Sequence, residues 1–313
     1  IRRQRQMCIR DRCMADYNTH KEFGSGDRIC YHGVLDMFRN PKLSAAVYAS
    51  QKTPRSPSDI VLEVSSSMAL GDHPGGFAGA CWVFTNAESV RLYRGNDFIA
   101  EFTPDRRGRF AALPHPPIEV QDFVGSLLEK YEGLDPVAAP QVAAILNEMR
   151  RDALALSPLS RARLLSLRLG WNDLLRMYYK YIGVLGSPSS VYRFEAVWHG
   201  RAVRTVVKEP VQSVRLECTV LNPLLTDGPT WDCAAVSLRA IDQNGNLLPY
   251  CGEAVQLSVE GPVKILGPSV VPLRGGMAGT YLATTGEAGR AVLHCKMEGA
   301  LDTEAALTVR KRG

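Results

Sequence analysis

Apolar and polar residues alternate with a period of two from residue 59 to about residue 102, which is typical of half-buried antiparallel strands. The run Gly-Asn-Asp at 95–97 predicts a hairpin turn inside this stretch. The alternation returns at 191–207, where residues 199–200 form a second turn. We therefore predict an antiparallel β-sandwich over 59–209. The inward positions at its start are Ile60, Leu62 and Val64.

The hydrophobic period becomes helical inside this predicted sandwich. Apolar residues recur at i, i+3 and i+4 from Val120 to Tyr131, which predicts a first helix. Asp135-Pro136 and Ser157-Pro158 are start signals for two more helices. We predict a helical insertion at about 118–184, of the kind that loop tips tolerate.

Short alternating strands fill the last hundred residues, 210–313. Turn residues separate them at regular spacing, with the strongest turn at 242–246. About seven short strands in this length are typical of an immunoglobulin-like sandwich. The inward positions are Val214, Leu216, Cys218, Val220, Val236, Leu238, Ala240, Val255, Leu257, Val259, Ala291, Leu293, Cys295 and Met297.

Residues 13–52 mix glycine, aromatic and charged residues and are too few to fold alone. They are typical of the end of a larger domain. Asn40 as N-cap and Pro41 at the first position predict a helix that ends at Gln51. Residues 53–58 are a linker by composition.

The charge of the chain is concentrated at its start. The chain has 313 residues and a formal net charge of +5. Residues 1–12 hold five arginines and one aspartate, and so carry +4 of it. A basic head of this kind suits a nucleic-acid arm or a signal-peptide n-region, but no apolar segment follows it. Residues 7–12 resemble a translated sequencing adapter, so we interpret 1–12 as an artefact.

Eight cysteines are spread along the chain without a CxxC or a zinc spacing. Cys81, Cys218 and Cys295 fall in apolar alternating runs, where a free thiol behaves as a small buried hydrophobe. A Cys218–Cys295 disulfide is the alternative. Reduced thiols favour the cytoplasm, which is our predicted location.

Signature motifs of common enzymes are missing: there is no GxGxxG, P-loop, HExxH or GxSxG. We predict no cofactor and no metal site. The one dense patch of polar and aromatic residues is 16–39. Such a patch suits either a sugar-binding rim or a solvated loop held by its own ion pairs, and composition leaves both open.

Three motifs carry a family resemblance. Residues 27–42, DRICYHGVLDMFRNPK, resemble the last strand and closing loop of the catalytic (β/α)8 barrel in glycoside hydrolase family 2, the β-galactosidase group. Residues 86–96, NAESVRLYRGN, resemble a hairpin of the domain that follows that barrel. Residues 241–249, IDQNGNLLP, resemble the terminal immunoglobulin-like domain. The insertion at 118–184 is outside the common pattern.

The resemblance implies a mainly β chain of two immunoglobulin-like sandwiches, preceded by a barrel remnant at 13–52. It also implies that the catalytic acid/base and nucleophile glutamates lie upstream of residue 13, so we predict no catalytic residue here. His32 departs from an asparagine that helps hold sodium in some relatives, and no metal site is carried over. The predicted substrate-rim residues are Asp16, Tyr17, His20, Arg28 and His32.

Two functions are left open by the sequence. The first is the C-terminal accessory region of a retaining glycosidase that acts on terminal β-glycosides. The second is a non-catalytic carbohydrate-binding or adhesion protein. Carbohydrate, reached through the missing barrel, is the predicted partner. A chain that is near neutral after residue 12 gives no electrostatic reason for nucleic-acid or membrane binding. The oligomeric state stays open.

Overall fold

A computed structural model describes residues 13–18, 28–66, 68, 79–152, 154–183 and 190–312 of the chain. The predicted artefact at 1–12 lies outside the described residues. The chain divides into two compact units. One is continuous and covers Ala46–Pro210, and the other joins the chain up to Ala45 to Val211–Gly313.

The structure is mainly β, as predicted. Its helices are α1 Leu43–Ala49, α2 Leu127–Glu132, α3 Ala138–Arg151, α4 Pro158–Ser166 and α5 Trp171–Tyr181, with a 3-10 turn at Pro57–Asp59. The strands up to residue 210 are β1 Tyr17–Asn18, β2 Ile29–Cys30, β3 Leu62–Val64, β4 Trp82–Thr85, β5 Ser89–Arg94, β6 Asp97–Phe102, β7 Ile118–Glu119, β8 Tyr192–Trp198 and β9 Arg201–Lys208. The later strands are β10 Val214–Val220, β11 Leu224–Asp227, β12 Cys233–Ile241, β13 Ala254–Glu260, β14 Val263–Leu266, β15 Val270–Pro272, β16 Met277–Thr284, β17 Gly289–Met297, β18 Ala300–Leu301 and β19 Thr303–Lys311.

The continuous unit contains a three-stranded sheet, in the order β3-β4-β7, and a four-stranded sheet, in the order β6-β5-β8-β9. The predicted hairpin joins β5 to β6, and Gly95 in its turn has a φ of +57°, which glycine adopts at little cost. The apolar positions of the alternating runs face the core: Ile60, Leu62, Val83, Val90 and Leu92 are all buried.

The helical segment lies between β7 and β8, within the range predicted for the insertion, and it packs into the same core as these sheets. Ile145 and Leu146 of α3 and Leu174 of α5 are fully buried in one cluster with Val83 and Phe194 of the sheets. An amphipathic helix buries its apolar face wherever a complementary surface is available, and here that surface is the sandwich.

The first helix of this segment begins later than its period predicts. Val120, Phe123 and Val124 are buried, but helix α2 starts only at Leu127. The carboxylate of Asp122 accepts hydrogen bonds from the backbone N–H groups of Val124 and Gly125, at 2.9 and 3.1 Å. These bonds form an Asx turn, which competes with helix at this position.

The discontinuous unit is an immunoglobulin-like sandwich of two five-stranded sheets. Their strand orders are β14-β16-β12-β10-β18 and β11-β19-β17-β13-β15. Most neighbours are antiparallel, but β10–β18 and β11–β19 are parallel. The core between the sheets includes Val236, Leu238, Val255, Leu293 and Leu307.

The predicted helix at 41–51 is shorter than expected, because α1 covers only Leu43–Ala49. Pro41 instead forms an antiparallel bridge with Leu35. The side chain of Asn40 does not cap the helix, since its amide bonds Asp36 and the carbonyl of Ala278. The Oδ1 atom that an N-cap would use accepts a hydrogen bond from the Ser237 hydroxyl instead.

Within the described part of the chain, every helix is too short or too polar to cross a membrane.

Candidate functional site

The predicted rim lies on a small ribbon within the discontinuous unit. Strands β1 and β2 are antiparallel, with Tyr17 opposite Cys30. After β2 the chain runs back alongside the residues before β1, where Ala15 and Leu35 form a parallel β-bridge. Gly33 makes this return possible, because a Cβ at residue 33 would lie 2.3 Å from the backbone nitrogen of Asp16. A glycine is required here by close approach of the backbone.

Asp16 is an internal anchor of this ribbon. Its side chain is 2% exposed, and its Oδ1 accepts a hydrogen bond from the backbone N–H of Gly33 at 2.9 Å. The same oxygen accepts from Lys42 Nζ at 2.6 Å. Two donors that satisfy a buried carboxylate offset the cost of its desolvation. Asp16 therefore joins the ribbon to the residue that precedes helix α1.

Tyr31 lies beside this ion pair. Lys42 Nζ is 3.4 Å from the carbonyl oxygen of Tyr31 and 5.7 Å from the centre of its ring. Burial, and secondly the negative charge of Asp16, raise the pKa of the Tyr31 phenol. The Tyr31 hydroxyl also forms a hydrogen bond with Arg274 Nη1. The phenol therefore stays protonated and can donate a hydrogen bond at neutral pH.

Three other predicted rim residues lie on the surface of the same ribbon. Tyr17, Arg28 and His32 are exposed, whereas His20 lies outside the described residues. Arg28 has a φ of +58°, an uncommon conformation for a residue with a side chain. The ribbon thus brings Asp16, Tyr17, Arg28 and His32 into one local element. Their contact with a sugar stays a prediction.

The loop after the ribbon is fixed by Asp36. Its Oδ1 accepts from the backbone N–H groups of Phe38 and Asn40, each at 2.8 Å. Asn40 Nδ2 donates to Asp36 Oδ2 at 2.7 Å and to the carbonyl oxygen of Ala278 at 2.8 Å. Ser237 Oγ also bonds Asn40 Oδ1. Asn40 is 1% exposed, so these bonds form away from water.

Phe38 contacts the outer face of the sandwich at a glycine. A Cβ on Gly279 of β16 would lie 2.3 Å from Phe38 Cγ, so the ring occupies the space that a larger residue would fill. The rings of Phe38 and Tyr281 are 5.7 Å apart between their centres. No sequence pattern indicated this contact, because 241 positions separate Phe38 from Gly279 along the chain.

A groove of about 610 Å³ lies between this loop and the sandwich. Its walls are mostly apolar, and its size is within the range of small-molecule sites. Its lining includes Tyr31, Phe38, Lys42, Val271, Arg274 and Met277.

The carboxylates of Asp16 and Asp36 at this groove hold the loop. A retaining glycosidase needs one carboxylic acid to protonate the leaving group and one free carboxylate as nucleophile. Asp16 and Asp36 line the groove, but each already accepts hydrogen bonds from backbone N–H groups of the loop. Both carboxylates therefore take part in the hydrogen bonds that hold the loop.

Comparison with known proteins places these observations in a family. No profile of a known protein family matches the sequence. The chain is 30% identical over 267 residues to a β-galactosidase of Thermoanaerobacterium thermosulfurigenes, a match that covers 84% of this chain and 29% of the relative. It is 29% identical over 284 residues to a β-galactosidase of Thermoanaerobacter pseudethanolicus, which covers 91% of this chain and 31% of the relative.

Solved structures share the fold at low sequence identity. A β-glycosidase from Bacteroides vulgatus matches with a TM-score of 0.58 at 12% identity, over 95% of this chain and 30% of that one. A β-glucuronidase of glycoside hydrolase family 2 matches with a TM-score of 0.52 at 13% identity, over 91% of this chain and 23% of that one. The chain thus spans about a third of the length of the curated relatives. The chain is therefore similar in sequence to about a third of the β-galactosidases it matches, and similar in fold to β-glycosidases that include glycoside hydrolase family 2 enzymes.

Proposed function

We propose that this chain is the accessory part of a retaining glycosidase that acts on terminal β-glycosides, and that the catalytic glutamates belong to a barrel outside this sequence. The β-galactosidase names of its relatives support the substrate class. The single observation that carries the proposal is the Asp16–Lys42 ion pair, because it holds the ribbon in a defined place. A substrate rim must be preorganised to act on a sugar.

The rim residues take different roles in this proposal. Tyr17, Arg28 and His32 are exposed and suit direct contact with sugar hydroxyls and ring faces. Asp16 is a positioning residue, since its carboxylate is already occupied. Carbohydrate is therefore the proposed partner, bound jointly with the barrel. We also propose a cytoplasmic location, which the free thiols of the described cysteines support.

An assay on aryl β-galactosides tests the catalytic part of the proposal. The purified 313-residue chain is expected to release no aryl alcohol above the buffer blank, because no free carboxylate pair lines its groove. The intact β-galactosidase of Thermoanaerobacterium thermosulfurigenes, assayed at equal molarity, is the positive control. Turnover by the 313-residue chain that survives repurification would overturn the proposal.

A glycan array on the same sample separates the two functions that the sequence left open. Weak or absent binding is expected of an accessory region whose sugar site is completed by a barrel. Specific, saturable binding of an oligosaccharide would contradict the proposal and support an adhesion function.

A further inference from the structure

Two cysteines face each other across the immunoglobulin-like sandwich. Cys218 lies on β10, in one sheet, and Cys295 lies on β17, in the other. Their Sγ atoms are 3.4 Å apart. A disulfide bond is about 2.0 Å long, so the two sulfurs need to move together by only about 1.4 Å. Both side chains belong to the core between the sheets, where the backbone positions are fixed by strand pairing.

The two thiols differ in their access to solvent. Cys295 is fully buried, whereas Cys218 is partly exposed. Strand β18 pairs with Val214 and Arg215 of β10, and in the described residues this pairing does not extend as far as Cys218. Cys218 is therefore the sulfur that an oxidant in solution meets first.

The thiols also differ in acidity. The Cys295 thiol donates a hydrogen bond to the sulfur of Cys218. This bond lowers the pKa of Cys218, although burial opposes the shift. The same bond, together with burial, raises the pKa of Cys295. The more accessible sulfur is therefore also the one that more readily becomes a thiolate, which is the reactive form.

We propose that Cys218 and Cys295 are a redox-active dithiol that closes to a disulfide between the two sheets when the protein meets a disulfide oxidant such as oxidised glutathione. The Cys218 thiolate attacks one sulfur of oxidised glutathione, and one glutathione thiolate leaves. The Cys295 thiol then loses its proton and attacks the Cys218 sulfur, and the second glutathione leaves. Two protein thiols are oxidised, and one oxidised glutathione is reduced to two glutathione molecules.

Mass spectrometry under native conditions tests this proposal. The 313-residue chain is incubated with mixtures of oxidised and reduced glutathione, free thiols are blocked, and the digested protein is mapped. A Cys218–Cys295 cross-linked peptide and a loss of two hydrogen masses from the protein are expected. The cross-link spans 77 positions and restricts the unfolded chain. The thermal unfolding midpoint of the oxidised discontinuous unit should therefore rise by roughly 5–15 °C.

Variants make the test specific. Cys218→Ser removes the partly exposed sulfur and should abolish both the cross-link and the rise in midpoint, while its reduced form still unfolds cooperatively. Cys233→Ser changes an exposed cysteine and should leave both unchanged. The proposal is overturned if the native wild type gives only a glutathione adduct at Cys218, no product, or a cross-link to a different cysteine.

Discussion

Asn40 is the residue on which the attachment of residues 13–45 to the sandwich most depends. Its amide donates to Asp36 and to the carbonyl of Ala278, and its oxygen bonds the Ser237 hydroxyl. Asn40 is almost fully buried, and Ser237 and Ala278 are buried as well. Removal of a buried partner costs more than an average hydrogen bond contributes, because the groups left behind are desolvated and unpaired.

Asn40→Ala should lower the free energy of unfolding of the discontinuous unit by about 2 kcal/mol, since it leaves the Ala278 carbonyl without its donor. Urea denaturation followed by circular dichroism measures this change. Asn172→Ala, at an exposed position of helix α5, is the matched control and should shift stability by less than about 0.5 kcal/mol. Equal effects of the two variants would contradict the anchoring role of Asn40.

In the continuous unit, Glu132 joins separate elements as Asn40 does in the discontinuous unit. Its carboxylate accepts from Lys180 Nζ at 2.6 Å, Tyr181 Oη at 2.7 Å and Arg176 Nη1 at 3.0 Å, and so joins α2 to α5. The hydrogen bond from Lys180, followed by those from Tyr181 and Arg176, lowers the pKa of Glu132 from 4.5 to about 2, against the opposing effect of burial.

A carboxylate whose pKa is lowered by folding stabilises the protein above its unfolded-state pKa and loses this contribution as the pH falls. For Glu132 the loss should occur between about pH 4.5 and pH 2. Glu132→Gln should therefore destabilise the protein by about 1–2 kcal/mol at pH 7 and by much less near pH 2. Urea denaturation at a series of pH values measures this. Glu129→Gln, exposed on the same helix, is the control, and a destabilisation by Glu132→Gln that is independent of pH would disprove the assignment.

Among the elements, the helices α2 to α5 show what periodicity does and does not predict. The Ser157-Pro158 signal predicted the start of α4 at its observed position, with Ser157 as the N-cap. The i, i+3, i+4 spacing did not reveal where the apolar faces pack. It also mistook residues 120–126 for helix, because an Asx turn at Asp122 buries the same apolar residues without helical hydrogen bonds.

Substitution of a large apolar side chain in helix α3 by alanine tests whether these helices are part of the core. Leu146 is fully buried with the sandwich residues, so Leu146→Ala should lower the free energy of unfolding by about 2–5 kcal/mol. Leu165→Ala in α4 removes the same atoms from a side chain that is 82% exposed, and its effect should stay within about 0.5 kcal/mol. Thermal and urea unfolding of both variants measure the difference. A mild effect of Leu146→Ala would contradict the packing of these helices into the core of the sandwich.

At the scale of the whole molecule, the chain is two compact units, and the second is built from two separated stretches of sequence. Residues 13–45 are too few to form a core, yet Asn40 among them bonds Ser237 and Ala278, which lie more than 190 positions away. Their assignment as the end of a catalytic barrel rests on the family resemblance and stays a prediction. The expected absence of turnover belongs to this scale, because it rests on the proposal that the catalytic glutamates belong to a separate barrel.

Patterns in the sequence were enough to predict most of the elements, the hairpin at 95–97 and the immunoglobulin-like sandwich, and to show the resemblance to glycoside hydrolase family 2. Each of these depends on short-range patterns, since alternation, turn residues and motifs record local burial and local backbone conformation. The tertiary structure alone decided that the helices share the sandwich core, that Phe38 lies against Gly279, and that Cys218 faces Cys295. These contacts join residues that are far apart along the chain. Side-chain packing selects which distant surfaces meet, and a local hydrophobic period carries no information about that choice.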